Sequence, residues 1–222
     1  VKNILIAGGL YDPAQDIQTV YDNKVVPLLV ELDSGRIVGK DAYPEGMHAA
    51  TYDLKKMASD PTMGRGIDPG EDIANIRKRP KYIFIYEVIE NDKLEKIILP
   101  IYGYGLWSTL YGFVSLGNDF QTIQGITYYE HAETPGLGGE VDNPRWKGLW
   151  AGKKAFDGSG NVAISVIKGA VDPNHAQAKH QVDGLSGATI TTRGVHNMLQ
   201  YWLSDKGYGR LIETLKEGGT RG

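Results

Sequence analysis

The 222-residue sequence predicts an α+β fold, a mostly antiparallel twisted sheet flanked by helices. Two observations carry that prediction. From position 81 onward, apolar strand-like segments follow one another at 82–89, 94–101, 109–116, 122–129 and 162–167, with turn signals at Asn91-Asp92, Gly117-Asn118 and Gly158-Ser-Gly160 among them. Few helical patterns fall between these segments, so the strand–helix alternation that builds a parallel sheet is missing.

The elements follow in order. Asp12-Pro13 fits a helix start with proline at the first helical position, and Ile17, Val20 and Tyr21 give a short apolar face. Residues 28–32 and 37–38, around Asp33-Ser-Gly35, read as a hairpin. The stretch 47–57 is weakly amphipathic, and 63–70 is a loop-rich connection. After the strands, 145–154 is expected as a short helix and 208–217 as a final one. Between them, Val195, Met198, Leu199, Trp202 and Leu203 recur at helical spacing, which predicts a helix beginning near Thr189. This organisation divides the chain into an N-terminal α+β segment at 1–80, a central domain at 81–205 and a C-terminal helix at 206–222.

Composition narrows the function. A hydrophobic content of 41% and a net charge of −3 describe a chain that can bury a substantial core. There is no basic stripe for nucleic acid; the cluster Arg77-Lys78-Arg79 reads as a solvated turn before Pro80. With no cysteine, disulfides, Cys-ligated zinc and iron–sulfur clusters are excluded on this chain. His131 and Glu133 stand two apart, which is no helical metal pair, and His48, His175, His180 and His196 lack zinc spacing, so no metal site is expected. His196 is expected on the surface of the helix after Thr189. Gly103-Tyr-Gly105 lacks the third glycine and the following helix of a dinucleotide fingerprint. Ser186-Gly-Ala does not form a hydrolase nucleophile elbow. No apolar run reaches the length of a membrane span, and no signal peptide is visible.

Three stretches carry chemistry. Asp183-Gly-Leu-Ser-Gly-Ala-Thr189 joins a small-residue turn to a hydroxyl at a helix start. The N–H groups of a first helical turn lack internal partners and sit at the positive end of the dipole, so a phosphate on Thr189 would meet ready-made donors. Gly187 allows the bend and Ala188 leaves room beside the hydroxyl. The plainer reading of the same residues is a turn with a hydroxyl helix cap. His131-Ala-Glu-Thr-Pro-Gly-Leu-Gly-Gly-Glu140 places Pro135 and Gly136 at the centre of a type II turn, and its glycines bring bare backbone to a surface. A hairpin loop would fit it equally. Gly103-Tyr-Gly-Leu-Trp-Ser-Thr-Leu-Tyr-Gly-Phe113 is dense in aromatics and glycines, as is a half-buried strand with bulges.

Asp183, Ser186, Gly187, Ala188 and Thr189 resemble the flavinylation motif of proteins that carry FMN through a phosphoester to threonine. All three stretches, in this order, are similar to the C subunit of the sodium-translocating NADH:quinone oxidoreductases (NqrC); the opening Lys2-Asn-Ile-Leu and the region Tyr21-Asp-Asn-Lys24 extend the likeness over nearly the whole chain. The G subunit of Rnf electron-transport complexes shares Glu-Thr-Pro-Gly-Leu-Gly and Ser-Gly-Ala-Thr but lacks the form seen at Gly105–Phe113.

The resemblance implies an FMN-binding domain type of α+β fold and an electron-transfer subunit whose FMN is attached to Thr189 by a separate flavin transferase. It implies other membrane subunits as partners, no nucleic acid, and a complex that oxidises NADH, reduces quinone (ubiquinone) and moves sodium outward. Members carry one N-terminal transmembrane helix with the soluble part on the periplasmic side of the inner membrane, so the present chain is expected to be that part without its anchor. Ring contacts are expected from Trp107, Tyr111, Leu137 and Trp146. Polar contacts are expected from Thr109, Thr134 and the N–H groups of Gly136 and Gly138, with Glu133 orienting the loop or a polar group of the flavin. Core packing remains the alternative for each aromatic. No residue is assigned a catalytic role, and Asp183 is read as a recognition element for the transferase.

Overall fold

The computed structural model describes residues 1–218. Its centre is a six-stranded sheet built from β1 (Val25–Glu31), β2 (Arg36–Val38), β5 (Tyr82–Glu90), β6 (Lys93–Tyr104), β7 (Thr109–Gly117) and β8 (Ile123–Glu130). The spatial order is β2-β1-β5-β6-β7-β8, and every pairing is antiparallel. The first eighty residues therefore complete the sheet of the central segment, with Leu29 opposite Phe84 and Glu31 opposite Tyr82.

Both faces of this sheet are covered, which is why β5 and β6 read as nearly unbroken apolar runs. Ile83, Ile85, Ile97, Leu99 and Ile101 point to one face. Phe84, Tyr86, Val88 and Ile98 point to the other, in strict period-two alternation. The first face receives α5 (Thr189–Leu203), whose Val195, Met198, Leu199, Trp202 and Leu203 are all buried as the helical spacing requires, and α6 (Gly209–Lys216). The opposite face is covered by α1 (Lys2–Gly8) and α2 (Ile17–Lys24) through Leu5, Ile17 and Val20.

Several sequence expectations shift. The second helix begins after Asp16, whose carboxylate accepts the N–H of Thr19 at 2.8 Å; Asp12 instead organises a preceding turn through Ala14 N–H. Of the 47–57 stretch only the end is helical, within α3 (Leu54–Ser59), capped by Asp53. The 63–70 connection contains β3 (Gly64–Gly66), paired with β4 (Lys78–Pro80). That pairing removes Arg79 from solvent: it is 7% exposed, and its guanidinium donates to Asp33 at 2.5 Å, whereas Arg77 and Lys78 of the basic cluster are exposed. The helix expected at 145–154 ends early as α4 (Pro144–Gly148), since Gly148 and then Gly152, at φ 83°, break it.

Of the strand expected at 162–167, only β9 (Ser165–Val166) forms. It pairs in parallel with β10 (Gln181–Val182) outside the main sheet, because Val162 bridges back to Phe156. The C-terminal helix is α6, and positions 219–222 of the 206–222 segment lie outside the described residues.

The β7–β8 turn supplies a pH-dependent element. Partial burial would raise the Asp119 carboxyl, but the hydroxyl and N–H of Thr122, the N–H of Gln121 and the nearby Lys154 outweigh it and hold the group down at about 2. A depressed carboxyl contributes stability above its unfolded value of about 4, and loses it as pH falls toward about 2. Asp119→Asn is therefore expected to flatten the acid limb of stability in that window, checked by urea midpoints measured across pH with the wild type alongside.

Candidate functional site

The three chemistry-bearing stretches meet at one end of α5, and Glu133 joins them. Its side chain is buried at 5% exposure and accepts the backbone N–H groups of Leu106 (3.1 Å), Trp107 (2.9 Å) and Ser108 (3.2 Å), plus the Thr191 hydroxyl at 2.5 Å. Burial alone would raise this carboxyl; the Thr191 hydroxyl and the three N–H donors together push it below the ordinary value. Both oxygens are engaged by protein donors, the arrangement that loop orientation, one of the two roles read for Glu133, requires.

The loop 131–140 is a built platform. Leu137 N–H closes a turn on the Thr134 carbonyl at 3.1 Å, with Gly136 at φ 76° in the position a type II turn requires. Thr134, Gly136 and Leu137 are exposed, while Gly138 is buried. A Cβ at Gly138 would lie 2.5 Å from Thr191 Oγ1 and 2.7 Å from Glu133 Oε2, so only glycine fits the junction. His131 ties the base of the loop to Asp142 at 2.8 Å.

In the third stretch, Ala188 is the helix N-cap and makes no side-chain cap bond. Thr189 is the first helical residue and exposed; it does not serve as a hydroxyl cap. Thr191 and Thr192 are buried, and their hydroxyls are committed to Glu133 and to the Leu185 N–H. The first-turn N–H groups of α5 have no intrahelical acceptors, and no acidic side chain occupies that turn. Ser186 and Gly187 are exposed, with Gly187 at φ 71° and its Cα side packed toward Leu137 Cδ2, 3.0 Å from where a Cβ would sit. Asp183 is fixed structurally: its carboxylate accepts the Val171 N–H and its carbonyl accepts the Trp146 indole N–H, both at 2.9 Å.

Three large apolar side chains of these segments are exposed. Trp107 is 64% exposed, Ile190 57% and Leu137 44%. Thr109 is half-buried at the start of β7. Trp146 is not part of this surface: it is buried edge-to-face against Trp150, since the short α4 turns it into the core. Tyr111 is half-buried, stacked on Tyr102 at 5.4 Å with Lys55 over its ring. His196 is half-buried, not on the surface; its Nδ1 accepts the Val166 N–H at 3.3 Å, and burial pushes its pKa down. Sequence reasoning missed Thr191 and Ile190. Nothing in spacing distinguishes Thr191, because its role depends on a carboxylate 58 positions away.

Helix α5 is held against β6 by a close approach. A Cβ at Gly194 would lie 2.4 Å from the Tyr104 carbonyl oxygen and 3.0 Å from Gly105 Cα, both backbone atoms that cannot swing aside. Gly194→Ala is expected to destabilise by about 1–3 kcal/mol through overpacking, although alanine is the better helix former by about 1 kcal/mol. Chemical denaturation checks the sign.

The site residues sit on a mostly antiparallel sheet with flanking helices, and α5 opens without a side-chain cap beside them. Residues 105–204 match the model of the FMN-binding domain family. The chain is 43% identical to the C subunit of the Na(+)-translocating NADH-quinone reductase of Pseudomonas aeruginosa, over 98% of its own length and 82% of that protein's. It is 42% identical to the corresponding C subunit of Yersinia pestis, covering 98% and 79%.

In structure it is similar to crystallised NqrC of Shewanella oneidensis, with a TM-score of 0.84, 33% identity and coverage of 97% and 95%. The crystal structure of the reductase's C subunit from Parabacteroides distasonis gives 0.66, 28%, 95% and 89%. The chain belongs to the NqrC family, the C subunits of Na(+)-translocating NADH-quinone reductases. Among the described residues no helix is long and apolar enough to cross a membrane.

Proposed function

We propose that this chain is the FMN-carrying electron-transfer subunit of a sodium-translocating NADH:quinone oxidoreductase, with FMN bound by a phosphoester to Thr189. The observation that carries the reading is the exposed Thr189 hydroxyl at the open first turn of α5, beside two neighbouring threonines whose hydroxyls are already committed. The residues present fit the group. The N–H groups of the first turn suit a phosphate, and Trp107, Leu137 and Ile190 offer apolar surface for a flat ring. Thr109, Thr134 and the backbone of Gly136 supply polar atoms, with the buried Gly138 seating the loop that carries them. Asp183, Ser186, Gly187 and Ala188 shape the turn that presents the hydroxyl. Trp146 contributes by holding Asp183 in place, not by touching the ring.

A separate flavin transferase makes the bond. Thr189 Oγ would hold the FMN phosphate, with FAD as the donor, AMP as the leaving group and the hydroxyl proton taken by a base of the transferase. When bound, the isoalloxazine supplies one- and two-electron chemistry. A tether removes dissociation, so the site can stay shallow and open to partners. NADH oxidation and quinone reduction belong to other subunits, and the flavin-bearing domain faces the periplasm from an N-terminal membrane anchor. Within the chain, 81–205 is the flavin-bearing unit, 1–80 supplies β1 and β2 to its sheet, and α6 packs against the sheet's first face.

The test is flavin fluorescence retained on the denatured chain after electrophoresis, when the chain is co-produced with a flavin transferase. Retention is expected, together with no NADH:quinone turnover by the chain alone. Loss of all flavin on denaturation would overturn the covalent reading, and robust turnover by the isolated chain would overturn its role as a carrier.

A further inference from the structure

The Trp107 turn and the first turn of α5 come from segments more than eighty positions apart, and a single buried carboxylate spans them. Glu133 accepts Leu106, Trp107 and Ser108 N–H on one side and the Thr191 hydroxyl on the other. Thr191 lies two residues beyond Thr189 in the same helical turn. The packing leaves no slack, since a Cβ at Gly105 would fall 2.7 Å from Glu133 Oε1 and one at Gly138 2.7 Å from Glu133 Oε2. Charge-assisted bonds to a buried carboxylate are short and geometrically restrictive.

We propose that Glu133 is a positioning residue for flavin attachment: by cross-linking the Trp107 turn to the first turn of α5, it sets the Thr189 hydroxyl and the ring-bearing ledge in the register that the transferase and the bound flavin require. Glu133 acts through Thr191 and the Trp107 turn, and its two oxygens make no contact with the flavin. This rests on Thr189 being the attachment residue. Reacting groups misplaced by about 1 Å lose on the order of 10²-fold in rate, so the effect should be read in the rate of attachment before it is read in stability.

The experiment follows FMN gain by intact mass over time, with purified chain, flavin transferase and FAD. Variants are Glu133→Ala, Glu133→Gln and Thr191→Val, each checked for fold by circular dichroism. Glu133→Ala is expected to slow attachment about 10²-fold. Glu133→Gln should stay within about tenfold of wild type, because its amide accepts the N–H groups and donates to the Thr191 oxygen, losing only the charge assistance. That rescue would not follow if the site tolerated any register.

Thr191→Val keeps the Trp107 turn on Glu133 and severs only the link to α5; it should slow attachment as the alanine variant does, and it decides the matter if Glu133→Ala does not fold. Attachment at the wild-type rate in folded Glu133→Ala, or in Thr191→Val, overturns the inference. Failure of wild type to gain mass, or gain by Thr189→Ala, would instead overturn the attachment reading itself.

Discussion

Thr189→Ala is expected to abolish covalent FMN while leaving the fold intact. The side chain is exposed, makes no cap bond and opens α5, so its truncation removes no packed contact. Surface changes of this kind stay within about 0.5 kcal/mol, and alanine is the stronger helix former. The effect on the cofactor is total, because the neighbouring hydroxyls cannot substitute: Thr191 is bonded to Glu133 and Thr192 to the Leu185 N–H, both inside the core. The variant, co-produced with the transferase, should melt with the wild type and show no flavin after denaturation. Retained covalent flavin would move the attachment elsewhere; collapse of the fold would mean that Thr189 is structural.

The largest loss of stability is expected from Trp202→Ala. The indole is fully buried, its Nε1 donates to the Tyr102 carbonyl at 2.7 Å, and Tyr102, Tyr208 and Tyr201 surround it at ring separations of 5.0, 5.3 and 5.5 Å. Its own carbonyl accepts the Tyr208 N–H at 2.6 Å, tying the end of α5 to the start of α6. Truncation leaves a cavity where helix meets sheet and an unpaired carbonyl in β6. About 3–5 kcal/mol is the expected cost, which for a chain of this size lowers the melting temperature by roughly 10 °C or more. Trp202→Phe should lose less, since it keeps most of the apolar volume and forfeits the indole N–H. A thermal melt in which Trp202→Ala matches wild type would contradict the placement of α5 on the sheet.

The sheet was readable because its strands are covered on both sides: the runs at 82–89 and 94–101 are apolar enough to be recognised without partners, and the real β6 extends to Tyr104. The apolar face of α5 was equally plain. Short elements were not, because tertiary contacts decide them. Ser165–Val166 is a strand only because Gln181–Val182 lies beside it, and Arg79 is buried only because Asp33 receives it.

At the site, the sequence singled out the three stretches that the fold brings together but not the bond that assembles them. Glu133 and Thr191 have no local relation, and their meeting depends on α5 crossing β6 at Gly194. Trp146 illustrates the converse: an aromatic next to the loop proved to be core, because its N–H is claimed by the Asp183 carbonyl.

The most direct measurement of the central claim is the mass and fragmentation of the tryptic peptide spanning residues 180–193 from chain co-produced with a flavin transferase. That peptide holds Ser186, Thr189, Thr191 and Thr192 together. The expected result is a gain equal to FMN less one water, with fragment ions placing it on Thr189. An unmodified peptide from a preparation in which the transferase labels a control substrate, or a gain placed on Ser186, Thr191 or Thr192, would contradict the assignment of Thr189 as the flavin-bearing residue.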